Sequence, residues 1–372
     1  MVDNRRRDFL KTAGLISAVL LAQPILSKAD AKIFHDEKLI TQYRTLGTGE
    51  AAMKVTALGF GCMGMNYNRG MAKDEKEMIR LLHKCVDYGV NLFDTAEVYG
   101  PHINELLVGK GLYKYKNINV TTKFGHKIVD GKYYYGELDS SPKQIRKVCE
   151  ESLKRLRRDV IDMFYQHRFD PKIPIEDVAG TVKELIKEGK VRHFGLCEVS
   201  PEIIKKAHAV QPVTAIQSEY HLMWQGPEKN IFPTLEELGI GFVPYSPLNR
   251  GYLAGTMNEN TKFYEANDNR HTLPRFTPEA MKKNYAIIEV MKEFGSSKGA
   301  TPAQVALAWL LHKRPYIVPI PGTTVEAHLR ENLAAVNLKW SDKEWTDFEE
   351  KISKIEIFGD RYNATQQKQV IN

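Results

Sequence analysis

Cysteine is sparse and never paired along the chain. Only Cys62, Cys85, Cys149 and Cys197 occur in 372 residues, with no C-x-x-C pair and no Cys/His spacing of a zinc site. An oxidising compartment would permit disulfides. These four, however, fall at expected strand ends and on helix faces, so free, mostly buried thiols are expected. No block of like charge is present either. Lys and Arg number 53 against 46 Asp and Glu, a net charge of +7, and their scatter argues against a nucleic-acid surface. No run approaches the ~20 apolar residues of a stable membrane span. With 42% hydrophobic and 27% charged residues, disordered and fibrous classes fall away, and the length suits one large α/β domain with long loops.

The first 31 residues stand apart. Arg5-Arg6-Arg7 leads through Asp8-Phe9-Leu10-Lys11 into a mild apolar run over 13–26, and Ala29-Asp30-Ala31 supplies a small-x-small exit. A basic start, a short apolar core and a small-residue exit read as a secretory signal rather than a spanning helix. An uncleaved basic anchor is the alternative. Arg6-Arg7-x-Phe9-Leu10-Lys11 resembles the twin-arginine (Tat) signal of exported bacterial proteins, with Arg5 where a Ser or Thr is usual. Residues 1–31 are therefore expected to be a leader read by the Tat translocase. It would deliver residues 32–372, with a folded core over 43–355, to the periplasm or another exported location.

Through the remainder, apolar strand-like runs alternate with helical periodicity. The strand candidates are 58–61, 91–94, 118–123, 160–167, 191–196, 215–219, 241–245 and 316–319, and helices are expected over 73–88, 104–112, 142–156 and 175–188. Met78, Leu81, Leu82 and Cys85 share one face of the first helix, and Gly89, Gly189 and Gly239 stand where C-terminal caps belong. Strict alternation in eight units, without a second domain, predicts an α/β fold of the closed (β/α)8 TIM-barrel type. Residues 43–46 and 54–55 read as an N-terminal β-hairpin covering one end of the barrel, and 341–355 as an extra C-terminal helix. The stretch 248–276 is long and too polar for core, so a functional cover is expected. The last dozen residues are expected to fray.

By its letters Gly59-x-Gly61-x-x-Gly64 is a dinucleotide fingerprint. Its downstream neighbours are Met65-Asn66-Tyr67-Asn68-Arg69-Gly70, a polar loop where that fingerprint needs an apolar helix. The Rossmann reading is set aside.

Four polar residues, Asp94, Tyr99, Lys123 and His167, fall where barrel enzymes place their chemistry, at or just past C-terminal strand ends. Alone, each has an ordinary explanation: a turn cap, a packed ring, a solvated charge. On three successive strand ends together, they fit carbonyl reduction. Hydride attack builds negative charge on the carbonyl oxygen, so a donor must stabilise or protonate it. A tyrosine, with a pKa of ~10, shuttles protons poorly at neutral pH unless a neighbouring cation favours the phenolate. Tyr99 is thus the candidate acid/base, Lys123 its tuner, Asp94 the partner of Lys123, and His167 a second donor.

At these residues the chain resembles the aldo-keto reductase superfamily. The match is carried by Asn91-Leu92-Phe93-Asp94-Thr95-Ala96-Glu97-Val98-Tyr99-Gly100 with Asn104-Glu105, by Val120-Thr121-Thr122-Lys123-Phe124, and by Tyr165-Gln166-His167-Arg168. It runs from about 43 to 336 and is most similar to bacterial, plant and yeast members with Gln-His-Arg ahead of Asp170-Pro171. The resemblance implies a nicotinamide nucleotide extended across the barrel mouth. Gln217 would contact the nicotinamide amide, Tyr245 would stack beneath the ring, and Ser246, Leu248 and Arg250 would hold the pyrophosphate side. Gly322, Thr323 and His328 would border the last phosphate site, with Asn332 on the adenine. Cys197 replaces the usual Ser or Asn, and a thiol is a poorer hydrogen-bond partner. Val325 and His328 stand where NADP-selective members carry basic residues. Each charge-assisted bond lost to a 2′-phosphate costs ~1.5–3 kcal/mol, with Arg330 one turn away as a substitute. NADPH is expected narrowly ahead of NADH. Met65, Tyr67, His102 and Trp224 would line an apolar, aromatic mouth for a small carbonyl or alcohol.

The resemblance therefore implies an NAD(P)(H)-dependent oxidoreductase that reduces an aldehyde or ketone, or oxidises the alcohol. Two other readings stay open. One is a nucleotide-binding, redox-sensing regulatory module of the same fold, as in potassium-channel β subunits. The other is an unrelated barrel enzyme such as an isomerase or aldolase. That reading lacks a metal-ligand set, and Lys123 sits with Asp94 and Tyr99 rather than in an apolar Schiff-base pocket. Neither metal nor nucleic acid is expected as a partner.

Overall fold

The computed structural model describes residues 38–368 and Val370, so the expected leader lies outside the described residues. Strands are β1 Tyr43–Leu46, β2 Met53–Thr56, β3 Phe60–Gly61, β4 Leu92–Asp94, β5 Asn119–Phe124, β6 His126–Val129, β7 Lys132–Leu138, β8 Ile161–Gln166, β9 Val191–Cys197, β10 Val213–Glu219 and β11 Gly241–Tyr245. Seven of them form one parallel sheet in the order β11-β10-β9-β8-β5-β4-β3. Neighbours in sequence are neighbours in space, with helices between, as repeated βα units require.

The eighth expected strand, 316–319, is an extended segment that nearly closes the barrel. On one side Phe242 N donates to Tyr316 O at 2.9 Å and Val318 N to Phe242 O at 2.8 Å. On the other, Gly59 N donates to Pro319 O at 2.9 Å and Gly61 N to Pro321 O at 3.3 Å. Pro319 and Pro321 have no N–H, so the segment accepts from β3 without donating back at those positions. A full ladder cannot form there.

Side chains alternate with the strand period of two. Leu92, Met163, Tyr165, Cys197, Ala215, Val243, Val318 and Ile320 fill the barrel, joined by Leu46, Met53 and Val55 from the β1–β2 hairpin. Phe93, Val120, Phe124, Phe164, Phe194, Leu196, Ile216 and Phe242 belong to the larger core between sheet and helices. The hairpin is antiparallel, pairing Tyr43 with Thr56 and Leu46 with Met53, and its apolar residues cap the barrel as the sequence suggested.

The helices are α1 Glu75–Asp87, α2 Ile103–Leu112, α3 Pro142–Leu156, α4 Ile175–Lys187, α5 Pro201–Val210, α6 Gly226–Asn230, α7 Phe232–Leu238, α8 Pro278–Ser296, α9 Pro302–Lys313, α10 Glu326–Ala334, α11 Asp342–Ser353 and α12 Ala364–Gln367. Helix α1 starts where Asp74 accepts from Glu77 N, and it buries Met78, Leu81, Leu82 and Cys85. Capping boxes start α9 (Thr301 with Gln304) and α11 (Ser341 with Glu344). Helix α11 is the expected C-terminal addition. All four cysteines are free and buried. No described helix is long and apolar enough to cross a membrane.

Three expectations change. The hairpin β6–β7 was not anticipated, although Asp130-Gly131 at its turn, both at positive φ (49° and 72°), is a strong hairpin signal. The stretch 248–276 is not wholly a polar cover, because Tyr252, Leu253, Leu273 and Phe276 are buried. The tail does not fray through residue 368. Arg361 is 3% and Tyr362 9% exposed, and both are held by hydrogen bonds, Arg361 to Glu198 and Tyr362 to Tyr245.

Candidate active site

The C-terminal strand ends open into a cleft of about 470 Å³, the end where barrel enzymes carry their sites. Asp94 closes β4, Lys123 lies near the end of β5 and His167 follows β8. Tyr99 comes from the loop after β4. Lys123 Nζ donates to Asp94 Oδ1 at 2.5 Å, to Thr95 O at 2.8 Å and to Tyr99 Oη at 3.4 Å. Asp94 also accepts from Thr121 Oγ1 and from Gln217 Nε2, each at 2.9 Å. The Tyr99 and His167 rings meet edge to face at 5.8 Å. The four residues singled out from the sequence are therefore one cluster. Asp94, Tyr99 and His167 line the cleft, with Lys123 fully buried behind them.

Charge in the cluster follows from burial and contact. Burial opposes the Lys123 cation, but Asp94 and then Tyr99 hold its pKa above the usual value. Tyr99 differs from expectation. Lys123 pulls its phenol down, yet burial is the larger effect and pushes it up to about 12. Tyr99 is thus a protonated donor at neutral pH, not a group poised near 7. Burial, then His126, Arg168 and Lys123, drive His167 well below its ordinary pKa, so it is a neutral imidazole. Burial pushes the Cys197 thiol up to about 12, leaving it an unreactive lining group.

Of the expected nucleotide residues, Cys197, Gln217, Tyr245, Ser246, Leu248, Arg250, Gly322, Thr323 and His328 all line the cleft. Asn332 is buried and is not among the lining residues. Ser246, Asn249 and Arg250 after β11, and Glu198 after β9, have φ of 50°, 44°, 54° and 54°. Strained backbone of this kind concentrates at functional sites. Arg250 is not a free cation: its two terminal nitrogens chelate Glu219 at 2.7 and 3.0 Å. Arg330, the suggested substitute phosphate partner, is drawn to Tyr88, donating to its hydroxyl at 3.0 Å.

The expected substrate residues fare differently. Met65 is 1% exposed and packs in the core, while Met63 and Gly64 line the cleft in its place. Tyr67 stacks on Tyr99 at 5.9 Å, behind the lining. His102 sits at the N-terminus of α2 in a left-handed conformation, and Trp224 packs under the Arg275 and Arg361 guanidinia. Neither borders the cleft.

Other groups at the site escaped sequence reasoning. His126 meets the His167 ring at 4.8 Å, and Tyr133 Oη lies 3.4 Å from His126 Nδ1. Tyr362 and Gln366 of the tail line the cleft. Arg361 bonds Glu198 and Glu219 at 2.5 and 3.1 Å, and Tyr245 Oη meets Glu198 Oε1 at 2.7 Å and Tyr362 Oη at 2.5 Å. The backbones of Arg69 and Asp268 form an isolated antiparallel β-bridge, and Asn267 bonds Asn68 and Gly70, so two loops clasp each other. Among the described residues no cluster of three His, Cys, Asp or Glu is placed to hold a metal ion.

A nearly closed parallel barrel, with a protonated phenol, a lysine–carboxylate pair and a neutral imidazole at its C-terminal mouth, defines a class of carbonyl oxidoreductase. The chain belongs to the aldo/keto reductase family, whose model matches residues 57–353. It is 40% identical over 324 residues to Probable aldo-keto reductase 1 of Glycine max, covering 86% of this chain and 92% of that protein. Among solved structures, a glycerol dehydrogenase from Gluconobacter oxydans superposes with a TM-score of 0.76 at 28% identity, over 84% of this chain and 96% of that one. An aldo-keto reductase from Bacillus halodurans does so with 0.65 at 25% identity, over 87% and 99%. The protein is an NAD(P)-dependent oxidoreductase.

Proposed function

We propose that Tyr99 is the general acid in reduction of an aldehyde or ketone and the general base in the reverse direction. The observation carrying this reading is the Lys123 ammonium, bonded at once to Asp94, Thr95 O and Tyr99 Oη. The residues present suit the nucleotide: a side-chain amide (Gln217), a flat phenol ring (Tyr245) and arginines beside a strained turn. When bound, the nucleotide supplies hydride to the carbonyl carbon. Tyr99 gives its proton to the developing alkoxide, Lys123 stabilises the phenolate left behind, and solvent restores the proton. Asp94 keeps Lys123 charged, and neutral His167 offers a second hydrogen bond to the carbonyl oxygen.

On nucleotide choice, the sequence put NADPH narrowly first. Arg330 donates to the Tyr88 hydroxyl, which in turn donates to Glu326; this draws one cation out of that account, and the lining near His328 offers Thr323, Thr324 and Val325. We therefore propose that NADH is accepted about as well as NADPH. Residues 1–31 are proposed to be a Tat leader that exports the folded enzyme with its nucleotide aboard.

Mass spectrometry of small molecules released from the purified protein tests both ideas. A stoichiometric nucleotide supports a preloaded enzyme, and its phosphorylation state gives the preference. An empty protein with no NAD(P)H-dependent reduction of any aldehyde would sink the reading. Export of a reporter carrying residues 1–31 should fail when Arg6 and Arg7 become lysines.

A further inference from the structure

Four arginines line the cleft: Arg69, Arg168, Arg250 and Arg270. They differ in what neutralises them. Arg250 chelates Glu219 at 2.7 and 3.0 Å, and Arg270 chelates Asp268 at 2.9 and 2.5 Å. Arg69 donates to Asn269 Oδ1 at 2.7 Å and to Asn68 O at 2.6 Å, within the clasp between the two loops. Arg168 donates to the carbonyl of its own neighbour, His167, at 2.7 Å. Among the described residues it has no carboxylate within ion-pair distance. Glu198 contributes to its field without touching it: Glu198 Oε1 is taken by Arg361 at 2.5 Å, Tyr245 Oη at 2.7 Å and Glu219 N at 2.8 Å, and Oε2 has no hydrogen-bond partner.

A guanidinium has five N–H donors in a planar fork that matches a carboxylate. Arg168 is half-buried; burial opposes its charge, but Tyr245, Tyr362 and Glu198 nearby hold it firmly as a cation. With no carboxylate in contact, its fork is left to receive one arriving in the cleft. Position tells which molecule brings it. Arg168 directly follows His167 and acts on its imidazole, the group that offers the carbonyl oxygen a second hydrogen bond, with Tyr245, Tyr362 and Cys197 around it. Arg69 and Arg270 are instead tied into the loop clasp, Arg69 by Asn68 and Asn269 and Arg270 by Asp268.

We propose that Arg168 binds a carboxylate carried by the substrate on the same molecule as its reacting carbonyl, so that acidic aldehydes or ketones are the preferred substrate class. The inference rests on the carbonyl-reducing reading of the cleft. Tyr99, His167, Tyr245 and Tyr362, which line the cleft, give the body of such a substrate an aromatic wall.

The test uses the full chain loaded with oxidised nucleotide, so that aldehydes bind without turnover. Calorimetry compares 3- and 4-carboxybenzaldehyde with 4-methylbenzaldehyde in wild type, Arg168→Met and Arg168→Lys. Wild type should prefer a carboxylated aldehyde about tenfold or more, as one charge-assisted bond of about 1.5 kcal/mol or above predicts. Arg168→Met should abolish that preference and Arg168→Lys should keep part of it. An equal affinity of wild type for charged and neutral aldehydes overturns the inference, even if the variants fail to fold. So does a preference that survives in Arg168→Met, or a matching loss of nucleotide affinity, which would assign Arg168 to the nucleotide. Turnover with reduced nucleotide is a separate readout. A carboxylate preference without any turnover supports the site while removing the hydride reading.

Discussion

The Arg361 guanidinium donates to Glu198 Oε1 at 2.5 Å, joining the C-terminal segment to the end of β9 across 163 positions of sequence. Both side chains are buried, 2% and 0% exposed, and the same carboxylate oxygen receives the hydroxyl of Tyr245. The tail is thus part of the cleft wall, fixed by charge. Arg361→Leu strips Glu198 and Glu219 of a cationic partner, and breaking a buried pair from one side costs about 3–5 kcal/mol. The urea midpoint should fall accordingly. An unchanged midpoint would mean that the tail contributes nothing to stability.

Tyr99→Phe keeps the ring and removes only the proton. Nucleotide binding, followed by fluorescence, should persist while kcat drops by orders of magnitude. Undiminished turnover would remove Tyr99 from its role.

The direction of the Tyr99 shift gives a pH dependence. With the phenol pushed up to about 12, its protonated form dominates throughout the neutral range. Carbonyl reduction, which needs that form, should not decline as pH rises toward about 9. Alcohol oxidation needs the phenolate, so its rate should climb with pH over the same interval. Opposite slopes would show that another group is the acid/base.

Lys123→Met leaves Asp94 charged, buried and facing an apolar chain. Stability should fall by about 3–5 kcal/mol, and the double variant Lys123→Met, Asp94→Asn should recover much of it without recovering activity. A double-mutant cycle by chemical denaturation reads this coupling. Strict additivity would deny that the two residues act as a pair.

His167 is held neutral by burial and by its cationic surroundings. Reduction should therefore show no inflection near the ordinary histidine value of ~6.5. An inflection that disappears in His167→Gln would contradict the assignment.

At the nucleotide wall, Val325 is 44% exposed beside His328. Val325→Arg should tighten NADPH binding about tenfold or more through a charge-assisted bond to the 2′-phosphate, with little change for NADH. Equal effects on both nucleotides would place the 2′-position elsewhere.

Much of the fold was legible because barrel strands and helices carry short-range signals. The eight strand candidates, the β1–β2 hairpin and the capped α11 can each be read from period and punctuation. Asp94, Tyr99, Lys123 and His167 were legible for a related reason: in a barrel, a residue's place at a strand end fixes the side of the molecule it reaches. The substrate residues were harder. Met63, Gly64 and Met65 lie in one short turn, and only its packing decides that Met65 faces the core. The hairpin β6–β7 had its Asp130-Gly131 signal, but nothing local says that His126 would rest on His167.

What the sequence determined by itself was the architecture and the chemical cluster, since both follow from local periodicity repeated around a barrel. Tertiary structure alone decided the charge states and the partners. Burial outweighs Lys123 at Tyr99, Tyr88 takes Arg330 from the cleft, and Glu198 draws Arg361 into the wall. Desolvation and ion pairing depend on which residues distant in sequence come to share a small, poorly hydrated space, and no pattern along the chain encodes that.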